Sequence, residues 1–165
     1  MGKVLYSNFE GQVTAGIICE TEAYNGVEDR ACHAYGDRRT PRTEVMYQLG
    51  GITYVYLCYG IHNMLNVVTG PKNVPQAVLI RAIIPLEGID MMAVRRNNKQ
   101  SMSSGPGTVA QALGITTAHN GISLEENSIW IEDHGVVFDS ITDGPRIGVD
   151  YAGPDAFLPY RNFLP

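Results

Sequence analysis

Residues 52–69 read ITYVYLCYGIHNMLNVVT. The run Ile52-Thr53-Tyr54-Val55-Tyr56-Leu57-Cys58 is rich in β-branched and aromatic residues, Tyr59-Gly60-Ile61-His62 carries a turn signal, and Asn63 to Thr69 is a second β-prone run. Two such runs joined by a short glycine-containing turn form a hairpin, which sets antiparallel pairing in the sheet. Tyr59 then stands near the tip, where a large ring has little core to join.

Upstream, residues 11–24 alternate as a strand, with Val13, Ala15, Ile17 and Cys19 on one face and Ile18, Glu20, Glu22 and Tyr24 on the other. Glu22 and Tyr24 are therefore expected to share a face. Residues 26–44 are polar and charged and read as a long loop with at most a helical turn, a length that usually signals function or disorder. Downstream, Gln76 to Ile84 reads as a buried strand ended by Pro85, with Arg81 inside an apolar run. Glu87 to Asn98 has helical spacing, Thr108 to Leu113 reads as a second helix stopped by Gly114, and Ser128 to Glu132 and Arg146 to Val149 read as short strands. The expectation is an α+β fold: one domain with a largely antiparallel curved sheet, a protruding β-hairpin and a few flanking helices.

The 165 residues, 44% of them hydrophobic, suffice to bury one core. No run of 18 apolar residues occurs and residues 1–6 lack a secretory pattern, so the expectation is a soluble protein of the cytoplasm or nucleoid, or of the nucleus in a eukaryote. Cys19, Cys32 and Cys58 include no C-x-x-C pair and read as reduced, buried thiols. A net charge of -5 opposes wholesale coating of nucleic acid, yet Arg30, Arg38, Arg39 and Arg42 lie within thirteen residues, and Arg95, Arg96 and Lys99 form a second basic group.

Two groups of residues suit chemistry. Glu20 and Glu22 place two carboxylates on one strand face, an arrangement fit for a general base. Tyr54, Tyr56 and Tyr59, followed by His62 and Asn66, place rings along the hairpin, and a tip tyrosine suits a wedge that fills the gap left by a displaced base. His33 lies in the loop after Tyr24 with no second histidine at metal spacing, so no metal site is expected.

In order along the chain, these pieces resemble the alkyladenine (methylpurine, 3-methyladenine) DNA glycosylase family. The resemblance rests on Glu20-Thr21-Glu22-Ala23-Tyr24, His33 through Arg42, Tyr54-Val55-Tyr56 with Tyr59-Gly60 and Asn66, Leu79-Ile80-Arg81-Ala82 with Pro85-Leu86-Glu87-Gly88, Ser104-Gly105-Pro106, and Arg146-Ile147-Gly148-Val149 with Ala152-Gly153. It implies Glu22 as the general base that activates water and Arg81 as the residue that helps place both. It implies Tyr24, His33, Tyr56 and Asn66 as the pocket for a flipped base, with Asn66 crowding a guanine amino group, and Tyr59 as the intercalating wedge. Arg38, Arg42 and His62 are implied as DNA contacts. The implied partner is double-stranded DNA containing damaged purines, bound by a monomer without cofactor. With no lysine near these motifs, the reaction is expected to be monofunctional hydrolysis of the N-glycosidic bond, leaving an abasic site. Relatives carry a helical segment before the Gly2-Lys3 region and a longer tail, so residues 1–165 are expected to be one catalytic domain truncated at both ends, either a fragment or a naturally short version. Two rival readings are a nucleosidase acting on small molecules and a non-catalytic module that binds damaged DNA.

Overall fold

The computed structural model describes residues 1–98 and 104–165. Among these, the strands are β1 (Val4–Phe9), β2 (Gln12–Asn25), β3 (Ile52–Cys58), β4 (His62–Val68), β5 (Gln76–Glu87), β6 (Ile129–Glu132), β7 (Thr142–Gly144) and β8 (Arg161–Phe163). They form one curled antiparallel sheet in the order β3-β4-β5-β2-β1-β6; β8 takes up the edge of β2 at Glu20–Glu22, beyond the end of β1, and β7 pairs with β8. The short helices α1 (Ile89–Arg95) and α2 (Pro106–Ala112) flank it, so the expected α+β class holds. No helix among the described residues is long and apolar enough to cross a membrane.

The hairpin forms as its sequence requires. Register runs from Ile52↔Val68 to Cys58↔His62, and the tip turn closes with the Ile61 N–H donating to the Cys58 carbonyl at 3.1 Å. Tyr59 and Gly60 both have positive φ, at 51° and 73°, which matches the twist of a tight hairpin and explains the glycine. Tyr59 is left 89% exposed.

The main core lies between the sheet and the helices. Leu5, Ile18, Val55, Leu65, Ile80 and Ile83 meet Met92 of α1 and Val109, Ala110 and Ala112 of α2. A second cluster forms where residues 26–47 fold back on the sheet through three 3-10 turns, burying Cys32, Ala34, Val45, Met46 and Tyr47 against Tyr54, Val68 and Ala77. The polar composition of this loop conceals a wall that is tied into the fold.

Two expectations need correction. β5 does not end at Pro85 but runs to Glu87: Pro85 faces Gly16 beside a register shift that skips Leu86, and a bulge tolerates a residue without an N–H. Arg146 to Val149 is a loop rather than a strand, because the Arg146 side chain and the Ile147 N–H are both committed to partners on other segments. Of the second basic group, Arg95 and Arg96 are engaged within the fold. Arg95 donates to Thr14 Oγ1 and the Ala112 carbonyl, and Arg96 to Gln111 Oε1, joining α1 to α2. Lys99, the third member of that group, lies outside the described residues.

Candidate active site

Two compensating irregularities between β2 and β5 build the site. Ile18 pairs with Ile83, Glu20 with Ala82 and Thr21 with Ile80, so the register skips Cys19 on β2 and Arg81 on β5. A bulged residue leaves the regular alternation and re-aims its side chain. Arg81 is thereby set between the two acids seen in the sequence: its Nε donates to Glu20 Oε1 at 2.9 Å, and its Nη1 lies 3.2 Å from Glu22 Oε1. A guanidinium thus lies between the two carboxylates, and Arg161 Nη1 adds a 3.3 Å contact to Glu20.

Glu22 is wholly buried and lines a cleft of about 500 Å³. Its Oε1 accepts from the Ile147 N–H at 2.7 Å and its Oε2 from the Tyr24 hydroxyl at 2.9 Å. An ionised carboxylate has about four acceptor positions. With these two bonds and the Arg81 contact in place, Oε2 keeps a lone pair that none of these donors takes.

The cleft also takes in Tyr24, His33, Arg42, Tyr56, Tyr59 and Arg81, so seven of the ten site residues expected from sequence border one space. Asn66 lies in an adjoining cavity of about 40 Å³ behind the rings, where its Nδ2 donates to the carbonyls of Tyr54 at 3.1 Å and Met64 at 3.3 Å. Arg38 is exposed and borders neither space. His62 is exposed on the α2 side of the hairpin, packed so closely on Gly107 that a Cβ there would come within 2.9 Å of its ring.

The rings form a fixed lattice. His33 meets Tyr56 edge-on at 4.7 Å, and Tyr54 and Tyr56 are 5.3 Å apart. Arg42 stacks over Tyr56 at 4.7 Å and its Nη2 lies 3.3 Å from His33 Nε2. A guanidinium can only donate, so Nε2 accepts and Nδ1 is assigned the hydrogen that Tyr54 Oη receives at 2.8 Å. Burial first, then the charges of Arg42 and Arg38, push the His33 pKa down to about 4, leaving a neutral imidazole at neutral pH.

That shift carries a sign. An unfolded histidine titrates near 6.5, so between there and about 4 the unfolded chain binds more protons and stability falls as pH falls. The penalty is absent above about pH 6.5 and complete near pH 4, at about 1–3 kcal/mol after allowing for partial exposure. His33→Gln should remove this component. Urea midpoints for both proteins at pH 7 and 4.5 test it, and equal acid losses in the two proteins would refute it.

Some residues of the site were given no role from sequence. Ile147 contributes only a backbone N–H, which no residue type announces. Arg146 and Asp29 form a buried, two-pronged pair, with Nη2 donating to Oδ1 at 2.8 Å and Nη1 to Oδ2. Asp29 also accepts from the N–H groups of Asn25 and Ala31, and Arg146 donates to the carbonyls of Ala23 and Asp155. The guanidinium lies 4.9 Å over the Tyr24 ring, so one pair of charges joins the end of β2, the pocket loop and the segment bearing Ile147. Among the described residues, no group of three or more His, Cys, Asp or Glu side chains is placed to hold a metal ion.

The family model described as methylpurine-DNA glycosylase matches residues 1–165. A Chlamydia abortus protein is 50% identical, across 99% of this chain and 88% of its own. A Chlamydia felis protein is 49% identical, across 99% and 86%, and a Bacillus cereus protein 42% identical, across 98% and 85%. All three carry the provisional name 3-methyladenine DNA glycosylase.

Proposed function

The chain belongs to the methylpurine-DNA glycosylase family, and from that membership we propose that it flips alkylated or deaminated purines out of duplex DNA and hydrolyses their N-glycosidic bond, leaving an abasic site. The family makes it a DNA glycosylase, a hydrolase of N-glycosyl bonds. The observation that carries the finer reading is Glu22 lining the cleft that Tyr24, His33 and Tyr56 border.

In this mechanism Glu22 Oε2 accepts a proton from a water aimed at the anomeric carbon of the sugar. As the bond to the base breaks, positive charge grows on the sugar, and the same carboxylate stabilises it at close range. Arg81 and the Ile147 N–H hold Oε1, so the reactive oxygen is presented in one orientation. The cleft selects purines whose ring bears positive charge, because electron-rich faces attract cations. A neutral His33 adds no opposing charge. Asn66, fixed by two carbonyls, presents a constant surface that crowds a guanine amino group. Among the described residues no lysine borders the cleft, in keeping with hydrolysis without strand cleavage. One flipped base engages one site, so the active unit is a monomer, working on DNA in the cytoplasm or nucleoid, or in a nucleus.

Tyr59 separates this reading from a nucleosidase. The exposed ring at the hairpin tip is the wedge, flanked by the exposed Leu57 and Ile61, with Arg42 and Arg38 toward the phosphates and His62 on the opposite side of the hairpin. Tyr59→Ala should leave stability within about 0.5 kcal/mol, since the residue is almost wholly exposed. It should lower lesion excision from duplex DNA by roughly ten- to a hundredfold, the scale of losing a partner for the unstacked gap. The test incubates duplexes bearing hypoxanthine, ethenoadenine or methylated purines and scores abasic sites by alkaline cleavage, with a free nucleoside in parallel. Equal loss on nucleoside and duplex would place Tyr59 in the chemistry and refute the wedge. Failure of the wild-type protein to release any of these bases would refute the reading itself.

A further inference from the structure

Four side chains border both the deep cavity of about 40 Å³ and the wider cleft of about 500 Å³: Tyr24, His33, Tyr56 and Tyr151. The first three are the rings singled out from sequence. Tyr151 is a fourth ring at the same junction, carried by the 3-10 segment Asp150–Phe157, which follows directly on the loop bearing Ile147.

Its setting differs from that of the others. Tyr24 and Tyr56 each carry a guanidinium of the protein over the ring, Arg146 at 4.9 Å and Arg42 at 4.7 Å, so their π density is partly committed. His33 is held edge-on by Tyr54 and Tyr56. Tyr151 has no such stacked cation among the described residues, and the residue is 71% exposed where it borders the cleft. The ring is also anchored: its hydroxyl donates to the Ala31 carbonyl at 3.2 Å, and Ala31 itself lines the deep cavity. A large aromatic, exposed yet fixed by one hydrogen bond, presents a π surface whose position is set before a ligand arrives.

We propose that Tyr151 is a specificity-determining residue whose ring supplies an uncommitted π face for cationic purines, so that it raises the preference for charged over neutral bases. The inference rests on the proposed function. It adds a source of charge selectivity that neither Tyr24 nor Tyr56 can provide as fully.

The test holds shape constant and varies charge. In a Glu22→Gln background, which stops base release, the Kd is measured by fluorescence anisotropy for duplexes carrying 7-methylguanine, a cation, or 7-methyl-7-deazaguanine, its neutral isostere. Tyr151→Leu should cut the cation-over-neutral preference by about three- to tenfold, the range expected for one cation–π contact. Tyr151→Phe, which keeps the ring and loses only the bond to Ala31, should retain most of that preference. An unchanged preference in Tyr151→Leu, or an equal loss in Tyr151→Phe, overturns the inference while leaving the glycosylase reading intact. If the Glu22→Gln protein with Tyr151 intact shows no preference for the cation, the charge-selective pocket itself falls.

Discussion

Glu22→Gln is expected to lower single-turnover base release by at least about a thousandfold while leaving affinity for lesion-bearing duplex within a few-fold of the wild type. Loss of a positioned general base contributes about 10²–10⁴, and loss of a negative charge facing a developing cation adds to it. The surroundings of Glu22 make this substitution unusually clean. Oε1 faces two donors, the Ile147 N–H and the Arg81 guanidinium, and a glutamine oxygen can take that place. Oε2 faces the Tyr24 hydroxyl, which can rotate to accept from the amide nitrogen instead of donating. No donor is turned against a donor, so the fold and the ring lattice should persist. Abasic-site yield and lesion binding are measured on the same preparation. A variant that excises within tenfold of the wild type would remove Glu22 from the chemistry, and one that neither excises nor binds would mean the carboxylate is structural.

Asp29→Asn is expected to cost about 3–5 kcal/mol, the range for removing one partner of a buried ion pair and stranding the other. Both side chains are almost wholly buried, and the bonds of Asp29 to the N–H groups of Asn25 and Ala31 assume a carboxylate. For a domain of this size the loss corresponds to a melting temperature lower by roughly 10 °C. Burial alone would raise the Asp29 pKa, but the Arg146 hydrogen bond, the two backbone donors and the Arg146 charge hold it below the usual carboxylate range. Its stabilisation is therefore present above about pH 4 and lost as pH falls through the folded-state value, and the variant should lack that acid component. Urea unfolding tests the cost. The double variant Asp29→Asn/Arg146→Met should recover part of the loss, because it no longer buries an unpaired charge. A single variant within 1 kcal/mol of the wild type would show that the pair does not hold the pocket loop. Because Arg146 also lies over Tyr24 and precedes Ile147, the single variant should impair excision even where it remains folded.

Much of the frame was legible because it is local. The two β-rich runs of residues 52–69 and the Tyr59-Gly60 turn forecast the hairpin and the ring at its tip, since residue propensity and turn chemistry depend only on near neighbours. The shared face of Glu22 and Tyr24 was forecast in the same way and appears as a 2.9 Å hydrogen bond. Pro85 misled because proline normally ends a ladder, and only the pairing partner reveals a bulge. The polar loop of residues 26–44 misled because its buried residues are scattered without a period and gain their packing from β3, β4 and β5.

The sequence by itself therefore determined the antiparallel sheet, the hairpin with its tip tyrosine, and the carboxylate and rings that face one cleft. Tertiary structure alone decided the aim of Arg81 through two opposed register slips, the Ile147 N–H on Glu22, the union of Asp29 with Arg146 across 117 residues, and the arrival of Tyr151 at the cleft. The physical reason is that periodicity records which way a side chain points relative to its neighbours. Backbone donors look alike in every residue, and contacts between distant segments exist only once the chain has closed on itself.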